Sequence, residues 1–380
     1  MIIKNANIID KNGNILENKD IQFKNNLIIN LGENLIEDSE IIELNNSFFI
    51  SPGFIDAHCH IGMWEAVNGE SGSDGNECTD PITPHLRAID GINPNDEWFK
   101  DALKGGVTTI CTGPGSANVI GGSFCIMKTF GDRVDDMLIN PSYAIKGAFG
   151  ENPKNTYGSE DKMPQTRMGI AALMREYFYK AKEYMEDIES GENVGFDIKL
   201  DALIPVLKKE CPMKFHAHRA DDIFTAIRIA KEFNINITLD HCTEAHLIAK
   251  HLKNEKYPII IGPTFGEKTK YELINKSFET PKILFDNNIP FAIMTDAPEL
   301  PIESLTMCAS LAVKYGLPEN EALKAISITP AKILGIDNIL GSIEINKNAD
   351  LVVWDRHPLD IQAKVQMVFI NGKMVYKKEG

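Results

Sequence analysis

The chain has 380 residues, longer than most single domains but within reach of an α/β barrel of about 250 residues carrying a smaller unit. Apolar residues make up 43% and charged residues 24%, the balance of a folded globular protein. The formal charge of −15 (39 basic against 54 acidic) argues against nucleic acid or an anionic membrane as partner. An anionic small-molecule substrate stays open, because a pocket can differ from the average surface. No apolar run approaches the roughly 20 residues of a membrane span. The chain opens on an alternating strand, Met1-Ile2-Ile3-Lys4-Asn5, without the apolar core of a signal peptide, so the expected location is the cytoplasm. Seven scattered cysteines with no Cys-x-x-Cys pair suggest neither a disulfide framework nor a zinc ribbon.

Residues 1–50 read as short strands broken by polar turns at Asp10-Lys11-Asn12-Gly13-Asn14 and Asn25-Asn26. The tail repeats the pattern: Asp350–Trp354 and Val365–Ile370 flank a polar stretch, and Asn371-Gly372 is a strong hairpin signal. Neither end has strands enough to bury a core, so the two are expected to join in one small sheet. Between them apolar runs alternate with helical patterns, as in βαβ units, with helices expected over 95–104, 166–189, 220–233 and 319–326.

The first chemically informative segment is Ser51 to His60, which ends Asp56-Ala57-His58-Cys59-His60. Side chains on a strand alternate, so His58 and His60 share one face and can reach one ion while Cys59 points away. A bare His-x-His is more often two packed histidines. Here the reading gains weight because more metal-competent side chains end later β-prone runs: His216 after Met213-Lys214-Phe215, His241 after Ile235–Asp240, and Asp296 after Pro290–Thr295. In a parallel α/β barrel such strand ends converge on one mouth. Each alone could be a satisfied core histidine or a helix cap; together they suggest a metal centre.

The long polar segment 63–94 follows the His-x-His strand directly and is read as pocket wall, lid or oligomer contact. The loop Gly113–Asn118 with Gly121-Gly122 could offer backbone N–H groups to an anion or carbonyl, or be purely structural. In Tyr143–Pro153 two side chains are candidates beside a second ion, Lys146 and Glu151, and Glu151 offers a carboxylate directly. Glu151 is preferred because it stands at the strand's end. Lys146 comes five residues earlier, on the opposite face of a regular strand, and is read as a core stem or a charge for substrate. Arg219 could hold a substrate carboxylate bidentately. His85, His246, His251 and His357 are read as surface or packing residues.

These motifs, in this order, resemble the amidohydrolase superfamily, most of all its imidazolonepropionase-like branch, with a weaker likeness to N-acetylglucosamine-6-phosphate deacetylase. The likeness runs from Pro52–His60 through Gly106–Ile110 to Gly341–Glu344, Asn348–Asp355 and Val368–Tyr376, nearly the whole chain. It implies a (β/α)8 TIM-like barrel over 51–337 and a small β-sandwich domain built from 1–50 plus 338–380. It also implies a hydrolase of C–N bonds in an amide or cyclic amide. The metal ligands would be His58, His60, Glu151, His216, His241 and Asp296, holding one or two Zn2+, or Fe2+, Mn2+ or Co2+; a second ion would need a bridging carboxylate, a carboxylated lysine (Lys146) or a glutamate (Glu151, preferred). Such an ion lowers the pKa of water toward about 7. Asp296 would take that water's proton and pass it to the departing nitrogen. His241 would bind a second ion or polarise the substrate carbonyl, and His218, with Arg219, would contact substrate. A small-molecule substrate and a homo-oligomer are expected, with neither nucleic acid nor membrane as partner.

Three other functions were weighed. Superfamily deaminases generally carry a glutamate three residues after the fifth-strand histidine, and His216–Asp221 has none, which disfavours deamination. Prolidase or dipeptidase cleavage is compatible with His216-Ala217-His218. A scaffold without catalysis fits poorly with a retained ligand set.

Overall fold

The computed structural model describes residues 1–36, 40–67 and 69–379; Asn68, inside the segment read as a pocket wall, lies outside them. Five strands open the chain: β1 (Ile2–Ile9), β2 (Ile15–Lys24), β3 (Leu27–Gly32), β4 (Ile41–Glu43) and β5 (Phe49–Pro52). Eight follow in the middle: β6 (Phe54–Cys59), β7 (Val107–Thr112), β8 (Ile120–Lys128), β9 (Leu138–Ala148), β10 (Met213–Ala217), β11 (Ile237–His241), β12 (Ile259–Ile261) and β13 (Phe291–Ile293). The chain closes with β14 (Leu351–Trp354), β15 (Val365–Ile370) and β16 (Lys373–Lys377).

Both chain ends do combine. They form one connected sheet in the order β16-β15-β14-β5-β1-β2-β3, with β4 also on β1. Hydrogen bonding thus joins the end strands rather than dividing them into the two sheets of the expected sandwich. The join is β5 against β14, where Phe49–Pro52 pairs antiparallel with Leu351–Trp354. Ile3, Ile8, Ile21, Phe23, Ile50 and Phe369 fill a core of their own beneath it. Neither end could bury these side chains without the other.

The middle strands form the second sheet, in the order β13-β12-β11-β10-β9-β8-β7-β6. It curls until its edge strands β6 and β13 meet, a nearly closed barrel. Among the described residues no ladder joins the two edges. Asp56 on β6 stitches them instead, accepting hydrogen bonds from the Thr295 N–H (3.0 Å) and hydroxyl (2.6 Å) just beyond β13. The side chains of β6, β7 and β8 are buried along their whole length, as expected of strands covered on both faces.

The barrel departs from eight parallel strands at one place. β8 runs antiparallel to both β7 and β9, while the other neighbouring pairs are parallel. Chain length is the reason. Only residues 113–119 separate β7 from β8, and a parallel crossover needs about a dozen residues or more.

Helices cover the outside of the barrel. Arg167–Ser190 begins where Thr166 accepts a hydrogen bond from Gly169 N–H and ends on Gly191 in the left-handed conformation. The expected helix over 220–233 is present with those bounds, and 95–104 and 319–326 contract to Glu97–Lys104 and Glu319–Ala325. Among the described residues no helix is long and apolar enough to cross a membrane.

Candidate metal centre

The barrel geometry brings the expected strand ends together. His58 lies on β6 with His60 just past it, His216 lies on β10 with His218 just past it, His241 ends β11, and Asp296 follows β13. The register sets His216 opposite Asp240 and Ala217 opposite His241. Two donor clusters result, His58/His60/Asp296 and His216/His218/His241, and within each the ligand atoms lie within 4.8 Å of one another. The clusters adjoin: the His58 and His241 rings, one from each, are 5.3 Å apart.

Each histidine is held by one nitrogen and presents the other. His60 Nδ1 lies 2.7 Å from the Gly113 carbonyl and His241 Nδ1 3.0 Å from the Gly262 carbonyl. A carbonyl only accepts, so both Nδ1 atoms carry the proton and both Nε2 atoms keep a lone pair. His216 Nδ1 pairs with the Ser116 hydroxyl (2.8 Å) and His218 Nδ1 with that of Thr243 (2.7 Å). The Nε2 atoms of His216, His218 and His241 are buried without a hydrogen-bond partner, as is Asp296 Oδ1. Burial also holds His58, His216, His218 and His241 well below the ordinary imidazole pKa, so these rings are neutral. Neutral rings, oriented from behind, with free lone pairs converging, are what a divalent ion requires. The donor set fits such an ion.

Asp296 sits between the clusters. Its Oδ1 is 3.2 Å from His60 Nε2 and 3.6 Å from His58 Nε2, and its Oδ2 is 3.9 Å from His241 Nδ1. Burial pushes its pKa up, but the surrounding His241, His60 and Lys146 outweigh that and hold it below the usual carboxylate value.

Of Lys146 and Glu151, it is Lys146 that reaches the histidines. Lys146 Nζ reaches to 3.2 Å from His58 Nε2, and burial lowers the ammonium to about 8. Lys146 does begin below the barrel mouth, paired with Lys214 two residues before His216. Its four-carbon stem spans the missing height. Glu151 turns away. Gly150, with φ of +91°, bends the chain into the helix Glu151–Gly158, and Glu151 Oε2 accepts from the Glu272 N–H at 3.2 Å. Arg219 is placed elsewhere. It forks onto Asp221 (2.9 Å and 2.9 Å) at the start of its helix and, among the described residues, is not part of the cavity wall.

That cavity, of about 520 Å³, opens over His60, His216, His218 and Asp296. Trp64 and Asn76 bring the 63–94 segment into its wall, and Gly115, Ser116 and Ala117 bring the glycine-containing loop. Buried Asn118 ties the two together, donating to the carbonyls of Glu77 (2.8 Å) and Asp80 (2.7 Å). Lys270 and Lys276 complete the rim.

Sequence reasoning passed over three buried groups. Asp240 Oδ2 is 2.8 Å from His58 Nδ1, and Lys214 Nζ is 3.2 Å from the same oxygen. Both stood in plain view as charges inside strand runs, where an ionised group needs a partner. Glu272 is fully buried 3.7 Å from His216 Nε2 and 3.6 Å from His218 Nε2. It lies in a polar loop with no periodic signal.

The sequence profile of the amidohydrolase family matches residues 207–375. The solved structure of an amidohydrolase from Thermotoga maritima MSB8 is 42% identical and covers 99% of this chain and 100% of its own, with a TM-score of 0.96. Amidohydrolase tasK of Hapsidospora irregularis is 30% identical over 360 residues, 85% of this chain; the chain spans only 36% of that protein. An imidazolonepropionase from Picrophilus torridus is 26% identical over 385 residues, 93% of this chain and 91% of its own.

Proposed function

This chain belongs to the amidohydrolase superfamily as an imidazolonepropionase-like member, and we propose that it hydrolyses a C–N bond in an amide or cyclic amide. The observation that carries the reading is Asp296: a half-buried carboxylate whose Oδ1 is buried without a hydrogen-bond partner, facing a cavity large enough for a small molecule. His58, His60 and Asp296 would hold one divalent ion, zinc being the expected one, and His216 and His241 a second. Lys146 replaces Glu151 as the candidate bridge. A bridging carbamate forms when a neutral amine adds to carbon dioxide and loses a proton, and burial brings the Lys146 amine within reach of that state near neutral pH. Ions bound there would supply Lewis acidity toward the scissile carbonyl and lower the pKa of the attacking water.

The chain's own residues do the rest. Asp296 accepts the proton as the water oxygen bonds to the carbonyl carbon, then delivers it to the nitrogen as the C–N bond breaks. A carboxylic acid and an amine leave, or one ring-opened product from a cyclic amide. His218, in the cavity wall, would steady the carbonyl oxygen, and His241 would do so if it holds no ion. Trp64, whose ring centre is 5.1 Å from that of His60, shields the site from one side.

The reading is tested by ion analysis followed by a screen of N-acyl amino acids, dipeptides and cyclic amides. We expect turnover that a chelator abolishes and a divalent ion restores. Protein holding its full ions that hydrolyses no C–N substrate across these classes would sink the proposal, and activity confined to dipeptides would turn it toward the prolidase-like alternative.

A further inference from the structure

Trp64 lies in the chain that leaves β6, just beyond His60. The segment Met63 to Asp74 folds back on itself: the Glu65 N–H donates to the Gly72 carbonyl (2.9 Å) and the Asp74 N–H to that of Met63 (2.8 Å). Asp96 fastens its base, accepting from the N–H groups of Gly62 (3.3 Å) and Ala66 (2.9 Å). The indole is wedged as well. An added Cβ on Gly75 would stand 2.3 Å from Trp64 Cη2, and one on Gly115 2.4 Å from the same atom. Neither glycine adopts the left-handed conformation, so each supplies room for the ring rather than backbone freedom. The two are also joined to each other, the Gly115 N–H donating to the Gly75 carbonyl at 2.8 Å. The His60 ring meets the indole with its plane at 83° and its centre 5.1 Å away.

Trp64 thus forms a fixed wall of the cavity that holds His60, His216, His218 and Asp296. Apart from the imidazoles, it is the one aromatic side chain lining that cavity among the described residues. Much of the remaining wall is polar, with Asn152, Thr156, Lys270 and Lys276 among its members. An apolar group on a substrate held at Asp296 therefore finds its best surface on the indole. A flat aromatic ring can meet that surface in offset or edge-on contact, which adds to simple burial. A puckered ring of similar size cannot follow a plane that is unable to yield.

We infer that Trp64 is a specificity-determining residue, selecting substrates that carry a planar aromatic ring within a few bonds of the scissile amide. Gly75 and Gly115 are then positioning residues, which keep the indole in place. This rests on the reading of the cavity as the seat of C–N hydrolysis.

The test compares N-acetyl-L-phenylalanine with N-acetyl-L-cyclohexylalanine, whose rings differ in flatness and little in size. Both are given to wild-type protein, Trp64→Leu, Trp64→Phe and Gly75→Ala, with ions per chain measured for each. Burial alone would favour the more apolar cyclohexyl ring. We expect wild type to favour the phenyl compound instead, by about tenfold in kcat/KM and chiefly through KM. Trp64→Leu should lose that preference with its ion content unchanged, and Trp64→Phe should keep most of it. Gly75→Ala, which pushes the indole aside without removing it, should lose the preference too; keeping it in full would overturn the role of the glycine. A wild type that does not distinguish the compounds overturns the assignment, as does a Trp64→Leu chain that distinguishes them equally well. So does a loss of rate that is equal for both compounds and follows a loss of ions, the mark of a residue that only packs against His60. Binding of each compound is read separately from turnover, by calorimetry. If neither compound is hydrolysed, tighter binding of the phenyl compound that Trp64→Leu abolishes upholds the role of Trp64 whatever becomes of the hydrolytic reading, and equal binding overturns it.

Discussion

Lys214 Nζ and Asp240 Oδ2 meet 3.2 Å apart with neither side chain exposed, and the same oxygen lies 2.8 Å from His58 Nδ1. Lys214 also donates to the Ala57 carbonyl at 3.1 Å, and Asp240 accepts from the Thr238 hydroxyl at 2.8 Å. A buried pair built into the wall behind His58 fixes that ring and the charge around it. Removing one member strands the other in a low-dielectric interior. Asp240→Ala should therefore cost about 3–5 kcal/mol in chemical denaturation. The double variant Lys214→Met/Asp240→Leu should recover most of that stability without recovering activity, because His58 has still lost its support. Equal stability of the single and double variants would argue against a coupled pair.

Asp296→Asn should keep the fold and much of the bound metal while losing turnover. The amide is nearly isosteric and can coordinate through oxygen, but it cannot take a proton from water. General acid–base participation is typically worth about 10²–10⁴ in rate, so kcat should fall by at least that order. The fall should exceed any change in KM, since the interaction matters chiefly in the transition state. A variant that holds its ions and turns over at the wild-type rate would reduce Asp296 to a ligand or a cap.

Lys146→Met should be more damaging to activity than Glu151→Ala. Methionine fills much of the volume of the fully buried lysine stem, so a folded variant isolates loss of the amine beside His58 from loss of packing. We expect kcat to drop by about two orders of magnitude or more. Glu151→Ala removes a hydrogen bond to the Glu272 backbone and should act more mildly, through the placement of Glu272. Comparable kcat values in the two variants would remove the distinction.

Acid stability should depend on Glu344. It accepts from Lys11 (2.9 Å) and Ser342 (2.7 Å) and pairs with Lys347 (3.1 Å). Partial burial opposes its ionisation, but the Ser342, Lys11 and Lys347 contacts prevail and bring the carboxyl from 4.5 down to about 2. A depressed value stabilises the fold above the unfolded pKa, and this contribution is lost as pH falls from about 4.5 toward about 2. The side chain is 33% exposed, so solvent screening reduces the effect to about 1 kcal/mol. Denaturation of wild type and Glu344→Gln should differ by that amount at pH 7 and converge near pH 2. A difference independent of pH would show that Glu344 acts through packing.

The site was legible in the sequence wherever a short ligand had to stand at a strand end. An imidazole reaches little beyond its own Cβ, so His58, His60, His216 and His241 could serve one centre only from the ends of strands converging on it, and Asp296 likewise. Alternation with period two gave the shared face of His58 and His60, and the 3.6-residue period gave the helix Ala220–Phe233. The reversed strand β8 was legible too, in the short spacing between β7 and β8, although the expectation of a regular barrel passed over it.

Tertiary structure decided the rest, because it depended on reach and on neighbours distant in sequence. Lys146 arrives from a lower layer by the length of its stem, so position along the strand could not place its Nζ. Glu272 comes from a loop 121 residues beyond Glu151, and only the folded barrel sets the two against each other. Asp240 and Lys214 acquire a role only once β6, β10 and β11 lie side by side. Local periodicity fixes which way a side chain points; the packing of remote strands fixes what it meets there.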